Sequence, residues 1–183
     1  LIEPYTLDQE RYRVSMPDLP SSWQGATVAV VSDFQVGMWL DNQSTVRQAV
    51  SAIIAERPAV TLIAGDFVYH SSDPGGNEIG QAVALVKPLV DAGIPTYAVL
   101  GNHDYSLAKR GGQKREDLAA AVQAALEEAG VTVLQNEAAT LEAPAGGEPL
   151  YLVGIGSRYA RNDRPEMALE DVPSSAARMV MMH

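Results

Sequence analysis

The chain has 183 residues, 46% of them hydrophobic, which suffices for one substantial core and leaves little for a second. A formal charge of −10 and a pI near 4.6 exclude nucleic acid or an anionic membrane as a partner held by bulk charge. The absence of cysteine excludes thiolate metal sites, disulfides and cysteine nucleophiles, so any metal ligand is His, Asp, Glu, Asn or Gln.

A single domain over residues 1–183 is expected, with residues 1–20 as an N-terminal strand and lead-in. In RYRVSM (11–16), Tyr12, Val14 and Met16 alternate with Arg11, Arg13 and Ser15, the period of a half-buried strand. Pro17, Pro20 and Gly25 then mark a turn. ATVAVVS (26–32) reads as a buried strand. From Ser44 to Glu56, Val46, Val50, Ile53 and Ile54 share one helical face, and Pro58 ends the helix.

The unit then repeats. AVTLIA (59–64) is a second buried strand, SSDPGGN (71–77) a loop, and Val83, Val86, Leu89 and Val90 mark a helix ended by Gly93. PTYAVL (95–100) is a third strand. EDLAAAVQAALEEAG (116–130) is a third helix, with acidic residues where the helix dipole favours them and Gly130 as its C-terminal cap. Three successive βα units predict a largely parallel sheet covered by helices. Beyond Val131, the segments VTVL (131–134), ATLEA (139–143), YLVGIG (151–156) and RMVMM (178–182), with the turn PAGGEP (144–149), predict hairpins in a second, more antiparallel sheet. The fold class is therefore α/β.

Ligands in α/β sheets bind beyond the carboxyl ends of the strands. Here the first strand ends in Asp33 and Gln35, the second in Gly65-Asp66, the third in Gly101-Asn102-His103-Asp104 and the last in His183. Each alone has an ordinary explanation as a turn or cap residue. Four strand ends bearing oxygen and imidazole donors point together to a metal or phosphate site. Turn chemistry does not require the glycines before Asp66 and Asn102, whereas close backbone approach to a bound ion does.

The blocks DFQ (33–35), GDF (65–67), GNHD (101–104) and a strand ending in His183 resemble the first four blocks of the calcineurin-like metallophosphoesterases. VLQNEAATL (133–141) followed by LYLVGIG (150–156) resembles their extracytoplasmic or membrane-anchored bacterial branch. The likeness implies a four-layer αββα sandwich of two mixed β-sheets flanked by helices, holding two divalent metal ions. By it, Asp33 and Gln35 hold one metal, Asp66 bridges both, and Asn102 and His183 hold the other. His103 faces the substrate phosphate and Asp104 orients it. The implied activity is hydrolysis of a phosphomonoester, phosphodiester or pyrophosphate by a metal-bridging hydroxide, on a phosphate-containing small molecule or lipid. The family usually has histidine where this chain has Gln35, whose harder amide oxygen favours manganese or magnesium over zinc; manganese is the first expectation, with iron, zinc or magnesium as alternatives. The family's last block, Gly-His-x-His, is absent, so a C-terminally truncated domain is expected. An upstream membrane anchor is a further expectation, and the compartment stays undecided between the cytoplasm and an extracytoplasmic membrane association. A non-catalytic scaffold on the same fold is the alternative, supported by Gln35 and the missing block. A nucleotide-binding doubly wound domain lacks its glycine-rich fingerprint.

Other residues carry weaker signals. His70 follows GDFVY and reads as a loop histidine. KRGGQKR (109–115) is a basic stretch that can meet a phosphate or remain a solvated loop. Arg158, Arg161 and Arg164 recur every three residues and fit either a second rim or an exposed turn. MWL (38–40) contacts an acyl or aromatic group, or packs under the following helix. Met179, Met181 and Met182 are expected in a buried strand.

Overall fold

A computed structural model describes residues 6–39, 41–69, 77–107 and 113–183. Its first sheet is wholly parallel in the order β1 (Val28–Val31), β2 (Val60–Ile63), β3 (Thr96–Ala98), β4 (Thr132–Val133). In register, Val31 lies opposite Ile63 and Ile63 opposite Ala98. Parallel neighbours need long crossovers. Helices α1 (Gln43–Glu56), α2 (Asn77–Asp91) and α3 (Glu116–Glu128) provide them.

Alternation along the strands divides the core between two faces. Ile63, Phe67, Leu89, Leu100 and Leu118 pack on the helix side and are essentially inaccessible to water. Burying each such side chain stabilises the fold by about 1.5–3 kcal/mol. Leu62, Val60 and Val99 point the other way, against Leu134, Leu141, Leu152 and Met181. That second layer is a sheet in the order β5 (Glu137–Leu141), β6 (Leu150–Ile155), β7 (Arg178–Met182). Its far face carries Val153, which packs with Val172 and with Ala168 of the short helix α4 (Pro165–Ala168). The layers are thus helix, sheet, sheet, helix, and the fold is the α/β sandwich the sequence predicts, with a thin fourth layer.

Several expectations are corrected. Residues 11–16 form no strand: Tyr12 and Val14 are 79% and 76% exposed, because alternation supplies a face but no neighbouring strand to pair with. The 131–134 segment joins the first sheet, since α3 returns the chain parallel to β3 rather than into a hairpin. Only the second sheet is mixed: β5 and β6 are antiparallel, while β6 and β7 are parallel. Helix α1, by contrast, ends at Glu56 as expected, with Arg57 left-handed before Pro58. Within β7, Met181 is buried but Met182 is 47% exposed on the opposite face.

Candidate metal centre

Beyond the formal ends of β1 and β2 the two chains keep pairing. The Asp33 amide donates to Gly65 O at 3.0 Å, Gln35 N to Asp66 O at 2.8 Å and Val36 N to Phe67 O at 3.0 Å. This pairing persists through three non-glycine residues at positive φ, Asp33 (60°), Gln35 (43°) and Asp66 (60°). The left-handed region costs an L-residue roughly 1–2 kcal/mol. Three such residues in one place mark a site where geometry is held against local preference.

Glycines permit that geometry. A Cβ on Gly65 would lie 2.5 Å from the Gly101 nitrogen, and one on Gly101 would lie 2.0 Å from Asp66 Oδ1. The close approach brings the His103 amide within 2.9 Å of Asp66 Oδ1, to which it donates. Asp66 is 1% exposed.

Asp104 accounts for the rigidity beneath. Its fully buried carboxylate accepts four backbone N–H groups: Asp66 (3.0 Å) and Gly101 (2.9 Å) on Oδ2, Phe67 (2.8 Å) and Val68 (3.2 Å) on Oδ1. Burial pushes this carboxyl up to about 7; the Gly101 amide pulls it down, the Asp66 charge adds to the rise, and the other amides oppose it. This corrects the expected role. Asp104 does not touch the His103 ring; it clamps the β2 and β3 ends together and so positions Asp66.

The His103 ring is held instead by Tyr69. Its Nδ1 meets the Tyr69 carbonyl, and the two rings stack with centroids 5.0 Å apart. A carbonyl can only accept, so Nδ1 carries the proton and Nε2 is directed toward the cluster, 3.9 Å from Asp66 Oδ2. His183 is oriented the same way. Its Nδ1 is 2.7 Å from Ala64 O, and its Nε2 is 3.3 Å from Asp66 Oδ2. The bond to Asp66 raises the His183 pKa to about 9 against the opposing effect of burial.

Asp33, Asp66 and His183 thereby bring one ligand atom each within 4.8 Å of one another. Gln35 lies over both carboxylates, its Nε2 3.1 Å from Asp33 Oδ1 and 3.5 Å from Asp66 Oδ2. Asn102 donates Nδ2 to Leu107 O at 2.8 Å, which leaves its amide oxygen as the atom it can offer a cation. Two carboxylates, an imidazole and two amides form a hard, mostly oxygen donor set suited to a divalent cation. The two clustered carboxylates face imidazole nitrogens, with those of His183 and His103 at 3.3 Å and 3.9 Å from Asp66 Oδ2, and neither carboxylate has a Lys or Arg ion pair among the described residues, so the donor set fits a metal.

Residues 26–169 match the calcineurin-like phosphoesterase family. The chain belongs to that family. Two relatives are DNA double-strand break repair proteins Mre11, from Halobacterium salinarum (51% identical over 55 residues) and Aeropyrum pernix (44% over 55). Each match covers 30% of this chain, and 14% and 13% of the respective relatives. Family membership makes this a metal-dependent phosphoester hydrolase fold in the broad sense. No helix among the described residues is long and apolar enough to cross a membrane.

The remaining candidates are placed as follows. His70, Leu40, Lys109 and Arg110 lie outside the described residues. Lys114 and Arg115 pair with Glu116 (2.7 Å) and Asp117 (2.6 Å) of α3's first turn, which at those two positions fits the solvated loop leading into a helix rather than a phosphate contact. Trp39 does not pack under α1; it is 78% exposed. Arg158, Arg161 and Arg164 are all exposed. Sequence reasoning missed Tyr69 and Ala64, which act through backbone carbonyls; no residue type signals such a role.

Proposed function

We propose that this phosphoesterase domain hydrolyses a phosphomonoester, phosphodiester or pyrophosphate bond on a small molecule or lipid, using two divalent cations, manganese first. The observation that carries the reading is the convergence of Asp33, Asp66 and His183 within 4.8 Å inside a fold of this family. Bound cations would supply Lewis acidity to the phosphoryl oxygens and lower the pKa of a water.

The chain's own residues do the rest. Asp66, buried and fixed by Asp104's hold on the surrounding backbone, presents Oδ2 between His183 and Gln35 as the shared ligand. A half-turn of the Gln35 amide replaces Nε2 by its oxygen over Asp33, making it a ligand beside that carboxylate. Asn102, with Nδ2 held by Leu107 O, has its amide oxygen to offer. His103, with Nδ1 held by Tyr69, directs Nε2 toward the cluster, where its imidazolium form would donate a hydrogen bond or proton to a phosphoryl or leaving-group oxygen.

A second reading, cleavage of a DNA phosphodiester, rests on the 55-residue likeness to the two repair proteins, and the formal charge of −10 opposes it. The test is elemental analysis after manganese loading and desalting, with hydrolysis of bis(4-nitrophenyl) phosphate and 4-nitrophenyl phosphate alongside. Two ions per chain, with loss of both metal and turnover in Asp66→Asn at unchanged circular dichroism, are expected. Wild-type turnover in Asp66→Asn would refute the two-cation mechanism. A protein that retains no manganese is the scaffold alternative.

A further inference from the structure

The loop from Gly156 to Arg164 is unusually well built for a surface segment. β6 and β7 run parallel with Ile155 opposite Met182, so this loop leaves the second sheet at the same end as His183. Its far end is tied to the GNHD turn: Asn162 Nδ2 donates to the Tyr105 hydroxyl at 3.0 Å. Between these anchors Asn136 accepts from Gly156 N (3.0 Å) and Arg164 N (2.8 Å) and donates to Asn162 O (2.8 Å). Ser157 and Ala160 are buried, at 0% and 1% exposure.

This frame leaves three side chains outward. Arg158 and Arg161 are exposed and form no ion pair among the described residues, and Tyr159 between them is 48% exposed. At physiological salt charges are screened beyond about 8 Å, so the chain's net negative charge does not cancel a local pair of guanidiniums. Arginine binds phosphate through paired N–H donors. The loop runs from the His183 end of one sheet to the turn bearing His103, so its two exposed guanidiniums stand at the same end of the fold as the candidate centre.

We propose that Arg158 and Arg161 bind a second, non-reacting phosphate group of the substrate, with the Tyr159 ring beside it, so that the site prefers small molecules carrying two phosphates over those carrying one. The inference rests on the phosphohydrolase reading above.

Equilibrium binding tests it without turnover. Thymidine 3′,5′-bisphosphate and thymidine 5′-phosphate are titrated calorimetrically into the metal-free protein, where the bisphosphate is expected to bind about tenfold more tightly, one decade of affinity being about 1.4 kcal/mol. In Arg158→Gln/Arg161→Gln the preference falls to near one, and Arg158→Lys/Arg161→Lys, which keeps the charge but not the fork, restores part of it. Equal binding of the two nucleotides by the wild type, or a preference unchanged in the double glutamine variant at native circular dichroism, overturns the proposal. With manganese, the 4-nitrophenyl ester of thymidine 5′-phosphate is hydrolysed at the same kcat/KM by both proteins, while its 3′-phosphorylated counterpart loses about tenfold in the variant through KM. Failure to hydrolyse either ester counts against the phosphohydrolase reading, whereas the binding result judges the arginines.

Discussion

Asp104→Asn isolates the clamp beneath the site. The two carboxylate oxygens each accept two backbone N–H groups at 2.8–3.2 Å in a fully buried setting. Asparagine keeps one acceptor oxygen and turns an NH2 group on the other pair, so in either orientation two buried N–H groups lose their acceptor. An unsatisfied buried donor costs about 1–3 kcal/mol, which sets the loss at about 2–6 kcal/mol for two. At roughly 2–4 °C per kcal/mol for a domain of this size, Tm should fall by about 10 °C. The assay is thermal unfolding of the metal-free protein followed by circular dichroism, across pH. The sign is set by the raised pKa of Asp104, about 7. A carboxyl whose folded pKa lies above its unfolded value holds its proton preferentially in the fold, so the stability this contributes is fully present below about 4 and is lost as pH rises through about 7. Asparagine has no proton to gain or lose there, so only the wild type carries this pH dependence. The gap between wild type and Asp104→Asn should therefore be widest toward pH 5 and narrow as pH rises above 7. A Tm change under 2 °C at pH 5, or a gap that narrows in acid, would refute the clamp.

Two predictions follow from the metal ligands. His183, held protonated up to about 9 by Asp66, must release its Nε2 proton to bind a cation, so manganese affinity should rise about tenfold per pH unit below 9 and level off above it. Without metal, the His183–Asp66 pair stabilises the fold fully below the ordinary histidine pKa and is lost as pH rises through about 9; a pH-independent manganese affinity between 6.5 and 8.5 counts against this competition. Gly101→Ala places a Cβ 2.0 Å from Asp66 Oδ1, so the carboxylate is displaced and manganese retention should be lost; elemental analysis of the variant decides it.

Much of the architecture is legible along the chain because it is local. Val46, Val50 and Ile53 at helical spacing make the buried face of α1, and the β-branched run at Val60–Ile63 makes a strand buried on both faces. The residues that would ligate a metal stand where apolar runs stop, which a periodic reading detects without coordinates. Alternation at Tyr12 and Val14 misled, since a strand is made by its neighbour and none pairs there. The placement of β4 was equally hidden: whether 131–134 pairs with β3 or β5 depends on how α3 returns the chain.

Composition and spacing by themselves determined the fold class and the parallel βα order, and located the strand ends at which Asp33, Gln35, Asp66, Asn102 and His183 stand. Only the tertiary structure decided how those donors meet. His183 reaches Ala64 and Asp66 across more than a hundred residues, Asp104 turns away from His103 to clamp four amides, and Tyr105 ties the arginine loop to the GNHD turn. The physical reason is range. Propensity and periodicity act over a few neighbours, whereas a metal centre is assembled from strand ends brought together by burial of the two faces between them.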